Sequence, residues 1–332
     1  PPRSTPSNSS AASDVYKRQV ISVLSEGRCE LSEEVPPPYS IYLSSELILR
    51  GWEVPSEEAF LCGLCGRCIR GKPQFRSLLV EKVLEARRKI VEDRRPPRAL
   101  EERVRALSSE ELVLRGRSVE TCLVVEDETP KDMQVSIRTL LRRCGVKFSY
   151  LTLPLGCGSQ LELWGFSSEA KIYMERLKEF FESRGIKRAI VTSPRCKEVI
   201  SRMLPEVIPY TSYLVSFVEK YKERLSSLEL NLVLLGTGDE EMDSQALEAI
   251  SSLPGISLRR KRGMSDVDVN PVNFEMILKS FRSEILREIS FKPSSAIVYV
   301  SGFDAFLLEA SSRELPMCIG SLPELLMLSA SI

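Results

Sequence analysis

Histidine is absent from all 332 residues. That excludes a Ser–His or Cys–His nucleophile pair, zinc sites built on imidazole, and haem with an axial histidine. Proton transfer near neutral pH would fall to a perturbed carboxylate, lysine or cysteine. A net charge is missing too: 46 Lys and Arg stand against 46 Asp and Glu. No global field therefore draws the chain to nucleic acid or to an anionic membrane surface. Nor does any apolar run approach the ~20 residues that span a bilayer. The expectation is a cytoplasmic chain with no transmembrane segment and no nucleic-acid partner, able to sit peripherally on a membrane complex.

Cysteine, by contrast, is plentiful. The nine are Cys29, Cys62, Cys65, Cys68, Cys122, Cys144, Cys157, Cys196 and Cys318. An odd count with three at metal-ligand spacing points to thiolate chemistry in a reducing compartment rather than to a disulfide-stapled scaffold. The first residues are of a different kind. Residues 9–19, SSAASDVYKRQ, are what a transposase sequencing adaptor encodes. Residues 1–19 are accordingly expected to be a disordered artefact, with the protein's own chain starting near Val20 and its true N-terminus missing.

Residues 20–110 read as a helical module, broken by Val35-Pro36-Pro37-Pro38 and by a glycine-rich cysteine loop. Within it, SLLVEKVLEARRKIVEDRR has apolar residues at helical spacing and stops at Pro96-Pro97; its basic residues read as a solvated face. From about residue 111 the pattern changes to strands alternating with helices. ETCLVVED, KFSYLTL and RAIVTS are strands; a helix ending at Gly145 and a longer one from about Ser168 to Arg184 lie between them. A similar order recurs from about residue 229 in LNLVLLGTG, DSQALEAISSL, GISLRRKR and SAIVYVS. Such alternation predicts parallel α/β sheets, here as a weak internal duplication. The predicted segments are a 20–110 helical module, a first α/β module at 111–227 and a second at 228–332.

The strongest chemical signal is Cys62-Gly63-Leu64-Cys65-Gly66-Arg67-Cys68. Three thiolates at C-x₂-C-x₂-C can converge on one iron–sulfur cubane, and the glycines allow the tight turns this needs. A bacterial ferredoxin motif would continue to Cys-Pro; here Lys72-Pro73 stands instead. Upstream, Glu26-Gly27-Arg28-Cys29 echoes Cys65-Gly66-Arg67-Cys68, which makes Cys29 the obvious fourth donor. Zinc, or reduced cysteines in a turn with no metal, are the competing readings of the same loop.

Together with Gly156-Cys157-Gly158 and Ser193-Pro194-Arg195-Cys196, this loop resembles a known pattern. The heterodisulfide reductase D-like proteins and the glycolate-oxidase iron–sulfur proteins carry two ferredoxin motifs, then two cysteine-rich domains with Cys-Cys-Gly and Cys-Pro-x-Cys motifs. Here Gly156-Cys157-Gly158 stands at Cys-Cys-Gly and Ser193 replaces the first cysteine of Cys-Pro-x-Cys, while Gly165 and Ala170 match family positions. A further family cysteine would fall near Asp127. The second module has lost more: Ser301-Gly302-Phe303-Asp304 aligns with Cys-Pro-Phe-Cys without either cysteine. Cys122, Cys144 and Cys318 read as core residues, and Asp266, Asp268 and Asp304 as exposed loop carboxylates rather than a divalent-metal site.

The resemblance implies a degenerate member: a ferredoxin-like helical module followed by two related cysteine-rich α/β domains. It implies an electron-transfer or scaffold component of a heterodisulfide reductase-like complex, not catalytic on its own. At most one 4Fe–4S cluster would be held, by Cys62, Cys65 and Cys68 with Cys29. The implied partners are other redox proteins of such a complex, of flavin, quinone or heterodisulfide reductase type. Two alternatives stay open: a metal-free interaction protein that keeps only the fold, and a redox dithiol protein using Cys157 and Cys196. A dinucleotide site at Gly236-Thr237-Gly238 is excluded, because Asp239, Glu240 and Glu241 follow where a further glycine and a pyrophosphate would need to be.

Overall fold

The computed structural model describes residues 58–64, 76–93, 95–117, 119–263, 267–291, 295–311 and 319–330. The fold is mixed α/β. Described residues up to Arg103 join Glu162–Phe166 and Val267–Ser280 in one compact unit, and the remaining described residues form a second.

The second unit carries two sheets. In the first, β1 (Leu114–Arg115), β2 (Thr121–Glu126), β3 (Ser149–Cys157), β4 (Arg188–Val191) and β5 (Glu206–Pro209) lie in the order β1-β3-β2-β4-β5, with only β1 antiparallel. In the second, β6 (Leu230–Gly236), β7 (Ile256–Arg262), β8 (Ser295–Tyr299) and β9 (Ile319–Ser321) lie in the order β7-β6-β8-β9, all parallel. Leaving out the short β1, both sheets place their four parallel strands in the order second, first, third, fourth. The central strands are buried on both faces, so β2 reads as a continuous apolar run rather than an alternation. Leu123 and Val125 on one face join Leu232, Leu234 and Val298 of the other sheet in one core. Between the sheets pack helices from both halves: Lys131–Arg143 lies against Ser212–Tyr221 and Leu322–Ser329, and Ser212–Tyr221 against Glu240–Ser251.

Local sequence explains the element ends. Pro130 precedes helix Lys131–Arg143, and Arg142 and Arg143 in its last turn complement the helix dipole. Gly145, at φ 86°, then closes it: its N–H donates to Arg142 O at 2.9 Å and the Val146 N–H to Leu141 O at 3.0 Å, the pairing of a Schellman cap. At the start of helix Pro194–Ile200, Ser193 accepts from the Cys196 N–H and Pro194 takes the first turn, where its missing N–H costs nothing. β5 and the helices Ser159–Leu163 and Pro194–Ile200 have no counterpart in the sequence pattern; each is seven residues or shorter, too brief for a periodic signal.

The first unit corrects two expectations. Helical spacing assigns Arg87, on helix Arg76–Glu92, to a solvated face, yet it is fully buried. Asp268, expected as an exposed loop carboxylate, is fully buried too. The pair meets at 2.8 Å (Arg87 Nη1 to Asp268 Oδ2). The guanidinium also donates to Ala59 O at 3.0 Å, to Cys62 O at 2.7 Å and to Leu163 O, and lies 5.1 Å from the Phe60 ring centre. Asp268 in turn accepts from Trp164 Nε1 at 3.1 Å and Asn270 Nδ2 at 3.4 Å. Charge enters this core because the guanidinium and the carboxylate meet each other and further polar partners. Gly165 belongs to the same cluster: at φ +85°, a Cβ there would stand 2.7 Å from the Arg87 carbonyl carbon. Asp304, the other expected loop carboxylate, is buried in the second unit, and Asp266 lies outside the described residues.

Candidate functional site

Parallel α/β sheets gather their sites at the carboxyl ends of strands, where successive connections leave in opposite directions. In the first sheet that point lies over β2, because β3 adds on one side of it and β4 on the other. Three chain segments arrive there: Glu126 ends β2, Cys157 ends β3, and Ser193 follows β4 as the cap of helix Pro194–Ile200.

Cys157 and Cys196, 39 positions apart in sequence, are both buried and neither is in a disulfide. Their thiols interact with each other. The Cys157 pKa is held below the usual thiol value, chiefly by its interaction with the Cys196 thiol, with further help from Ser159, and against the opposing effect of burial. The Cys196 pKa is held well above, because the same interaction and then burial keep its proton in place. Ser159 Oγ lies 3.4 Å from Cys157 Sγ.

Glu126 completes the group. Its Oε1 accepts from Ser193 Oγ at 2.9 Å and from the Cys196 thiol at 3.6 Å. Burial of the carboxyl raises its pKa above the ordinary carboxylate value, and the hydrogen bond from Ser193 and the charge of Arg195 only partly offset this. The carboxylate borders an open, shallow cleft shared with Gly156, Ser159, Ser193, Arg195 and Ser301. Gly156 adopts φ +56°, and a Cβ on it would lie 3.2 Å from Glu126 Oε1, so glycine keeps this side of the carboxyl open.

The sequence motifs single out Cys157 and Cys196, and the fold brings them together. Asp127, the position matched to a family cysteine, is an exposed residue; Glu126 beside it takes the place in the site. The available signal is an acidic residue ending an otherwise apolar strand. Cys122 is buried inside β2, where burial pushes its thiol up to about 12, and Cys144 caps helix Lys131–Arg143, half-buried with its pKa raised by burial. Two thiols and one carboxyl do not fit a 4Fe–4S cubane. Among the described residues no three Cys, Asp or Glu side chains gather in a metal-holding group.

Of the cysteine loop only its start is described. Cys62 is buried; its carbonyl accepts from Arg87, Gly63 O accepts from the Asp268 N–H at 2.7 Å, and Leu64 turns through φ 54°. The expected ligands Cys29, Cys65 and Cys68 lie outside the described residues, as do residues 1–19, Lys72 and Cys318. The loop after β6 shows why no pyrophosphate would sit there. Its amides are already taken: Thr237 N donates to Asp243 Oδ1 at 2.6 Å and Gly238 N to Asp243 Oδ2 at 3.2 Å, with Arg260 on that carboxylate at 2.7 Å. Among the described residues no helix is long and apolar enough to cross a membrane.

No known family and no curated protein matches this chain. Among solved structures, a Yersinia pestis protein described as an Asp/Glu racemase aligns at 10% identity and a TM-score of 0.30, covering 64% of this chain and 98% of that one. A likeness that faint carries no weight for the fold or the chemistry.

Proposed function

We propose that this chain is a thiol–disulfide redox protein on a heterodisulfide reductase-like frame, cycling Cys157 and Cys196 between dithiol and disulfide. The observation that carries the reading is a pair of buried, free thiols brought together at the carboxyl end of a parallel sheet from motifs 39 positions apart, with Cys157 the more acidic of the two. A thiolate beside a second, protonated thiol is the arrangement that thiol–disulfide exchange uses: one sulfur attacks and the other resolves. Support also comes from the resemblance, since Gly156-Cys157-Gly158 and Ser193-Pro194-Arg195-Cys196 are its best-matched motifs.

The test is an anaerobic equilibration of the full chain in glutathione buffers of graded potential, then alkylation under denaturing conditions and peptide mass analysis. A Cys157–Cys196 disulfide that forms and is reduced reversibly is expected, and Cys196→Ser should abolish it. Two sulfurs that stay free at every potential would overturn the reading.

A second reading concerns the cysteine loop, which would hold one 4Fe–4S cluster on Cys62, Cys65 and Cys68 with Cys29 and pass electrons to other redox proteins of a complex. It is favoured by the anchored start of the loop, where two backbone carbonyls are fixed by Arg87 and Asp268. Iron and acid-labile sulfide in anaerobically prepared protein, with visible absorbance lost in Cys65→Ser and kept in Cys157→Ser, is the expected result. Protein without iron would leave the loop a metal-free element of a scaffold.

A further inference from the structure

We infer that Glu126 is the base that takes the Cys196 proton as the Cys157–Cys196 disulfide closes, with a low-molecular-weight disulfide as the oxidant. The inference rests on the dithiol reading and adds to it a residue that the sequence did not single out.

Cys196 has one thiol proton and two acceptors within reach, the Cys157 sulfur and Glu126 Oε1. In this structure the thiol reaches Glu126 Oε1 at 3.6 Å, and a Cys157 thiolate would compete as a second acceptor. Once Cys157 has been consumed in a mixed disulfide, that acceptor loses its charge and Glu126 remains. The carboxyl is held for this task. Ser193 Oγ donates to the same oxygen at 2.9 Å and also accepts from the Cys196 N–H at 3.2 Å, so one hydroxyl fixes both partners of the transfer. The carboxyl borders the cleft on the side where Gly156 has no side chain, which gives the proton an exit to solvent. Desolvation raises the Glu126 pKa, which brings an acceptor closer to the thiol it must deprotonate. The charged and titratable groups that bear on it are Cys157, Cys196 and Arg195, and Glu128 borders the same cleft. Asp127 is exposed.

The step balances. The Cys157 thiolate attacks one sulfur of R–S–S–R; that bond breaks, a first R–S⁻ leaves and a mixed disulfide remains on Cys157. Cys196 then gives its proton to Glu126 Oε1 and its sulfur attacks Cys157 Sγ, releasing a second R–S⁻. Two cysteines lose two electrons, one small disulfide gains them, and Glu126 later passes the proton to water. Both sulfurs are buried behind the cleft lined by Glu126, Gly156 and Ser159, so the oxidant is a disulfide small enough to enter beside these residues rather than one held in a folded protein.

The experiment uses the reduced full chain and 2-hydroxyethyl disulfide, with acid quenching and mass analysis across pH 5–9. In Glu126→Gln, which keeps an acceptor for Ser193, the mixed disulfide on Cys157 should accumulate. Closure should slow by about 10²-fold near pH 7, with the deficit shrinking as pH rises and solvent removes the Cys196 proton. Glu126→Asp, with a shorter reach, should restore part of the rate and its pH profile; it also serves if the Gln variant does not fold. Closure in Glu126→Gln at the wild-type rate and pH profile would overturn the inference while leaving the dithiol function intact. A rate loss that is equal at every pH, without a trapped mixed disulfide, would also overturn it, as a purely structural effect. Failure of the wild-type chain to form the disulfide would remove the function itself.

Discussion

Arg87→Met is the substitution on which the first unit should turn. Arg87 and Asp268 have fully buried side chains 2.8 Å apart. Removing the guanidinium leaves the carboxylate without its cation and frees the carbonyls of Ala59, Cys62 and Leu163 from a shared donor. Breaking a buried pair from one side costs about 3–5 kcal/mol, because a charge stays behind in a medium that solvates it poorly. Against a total stability of roughly 5–15 kcal/mol, that is a large fraction. The assay is urea denaturation followed by tryptophan fluorescence, since Trp164 Nε1 donates to Asp268 Oδ1 at 3.1 Å and so reports on this cluster. The expected result is a lower midpoint at an unchanged slope. Asp268→Asn relieves the stranded charge, so the double variant Arg87→Met with Asp268→Asn should cost at least ~2 kcal/mol less than the sum of the single ones. A cost under about 1 kcal/mol for Arg87→Met, or strict additivity, would refute the view that a charge pair organises this core.

Two further outcomes follow from the same geometry. Gly165→Ala should destabilise by about 2–4 kcal/mol, since it puts a side chain at positive φ and drives a Cβ into backbone atoms of Arg87 and Arg88 that cannot swing away; a midpoint equal to wild type would contradict it. Glu126 binds its proton more tightly folded than unfolded, so the stability it lends is complete below its unfolded value of 4.5 and is lost as pH rises through the higher folded value; Glu126→Gln should therefore gain on the wild type as pH rises across that window, and parallel stability–pH curves would argue against a raised pKa.

The sequence by itself determined the class of fold, because periodicity and caps are local. The apolar run ending at Glu126, Pro130 and the Gly145 cap set out a strand and a helix with their limits. The recurrence of strand and helix from residue 229 anticipated a second parallel sheet, and both sheets share a strand order. Cys157 and Cys196 stood out as candidates because their Gly-Cys-Gly and Ser-Pro-x-Cys settings are short motifs. Only the tertiary structure could decide which charges go inside. Arg87 and Asp268 lie 181 positions apart, and neither residue has a neighbour in sequence that announces its partner; burial becomes tolerable only when the distant carbonyls and carboxylate are in place. The same holds for Glu126. Its acidity is ordinary in the chain, and what sets it apart is desolvation beside a thiol delivered by the helix that follows β4.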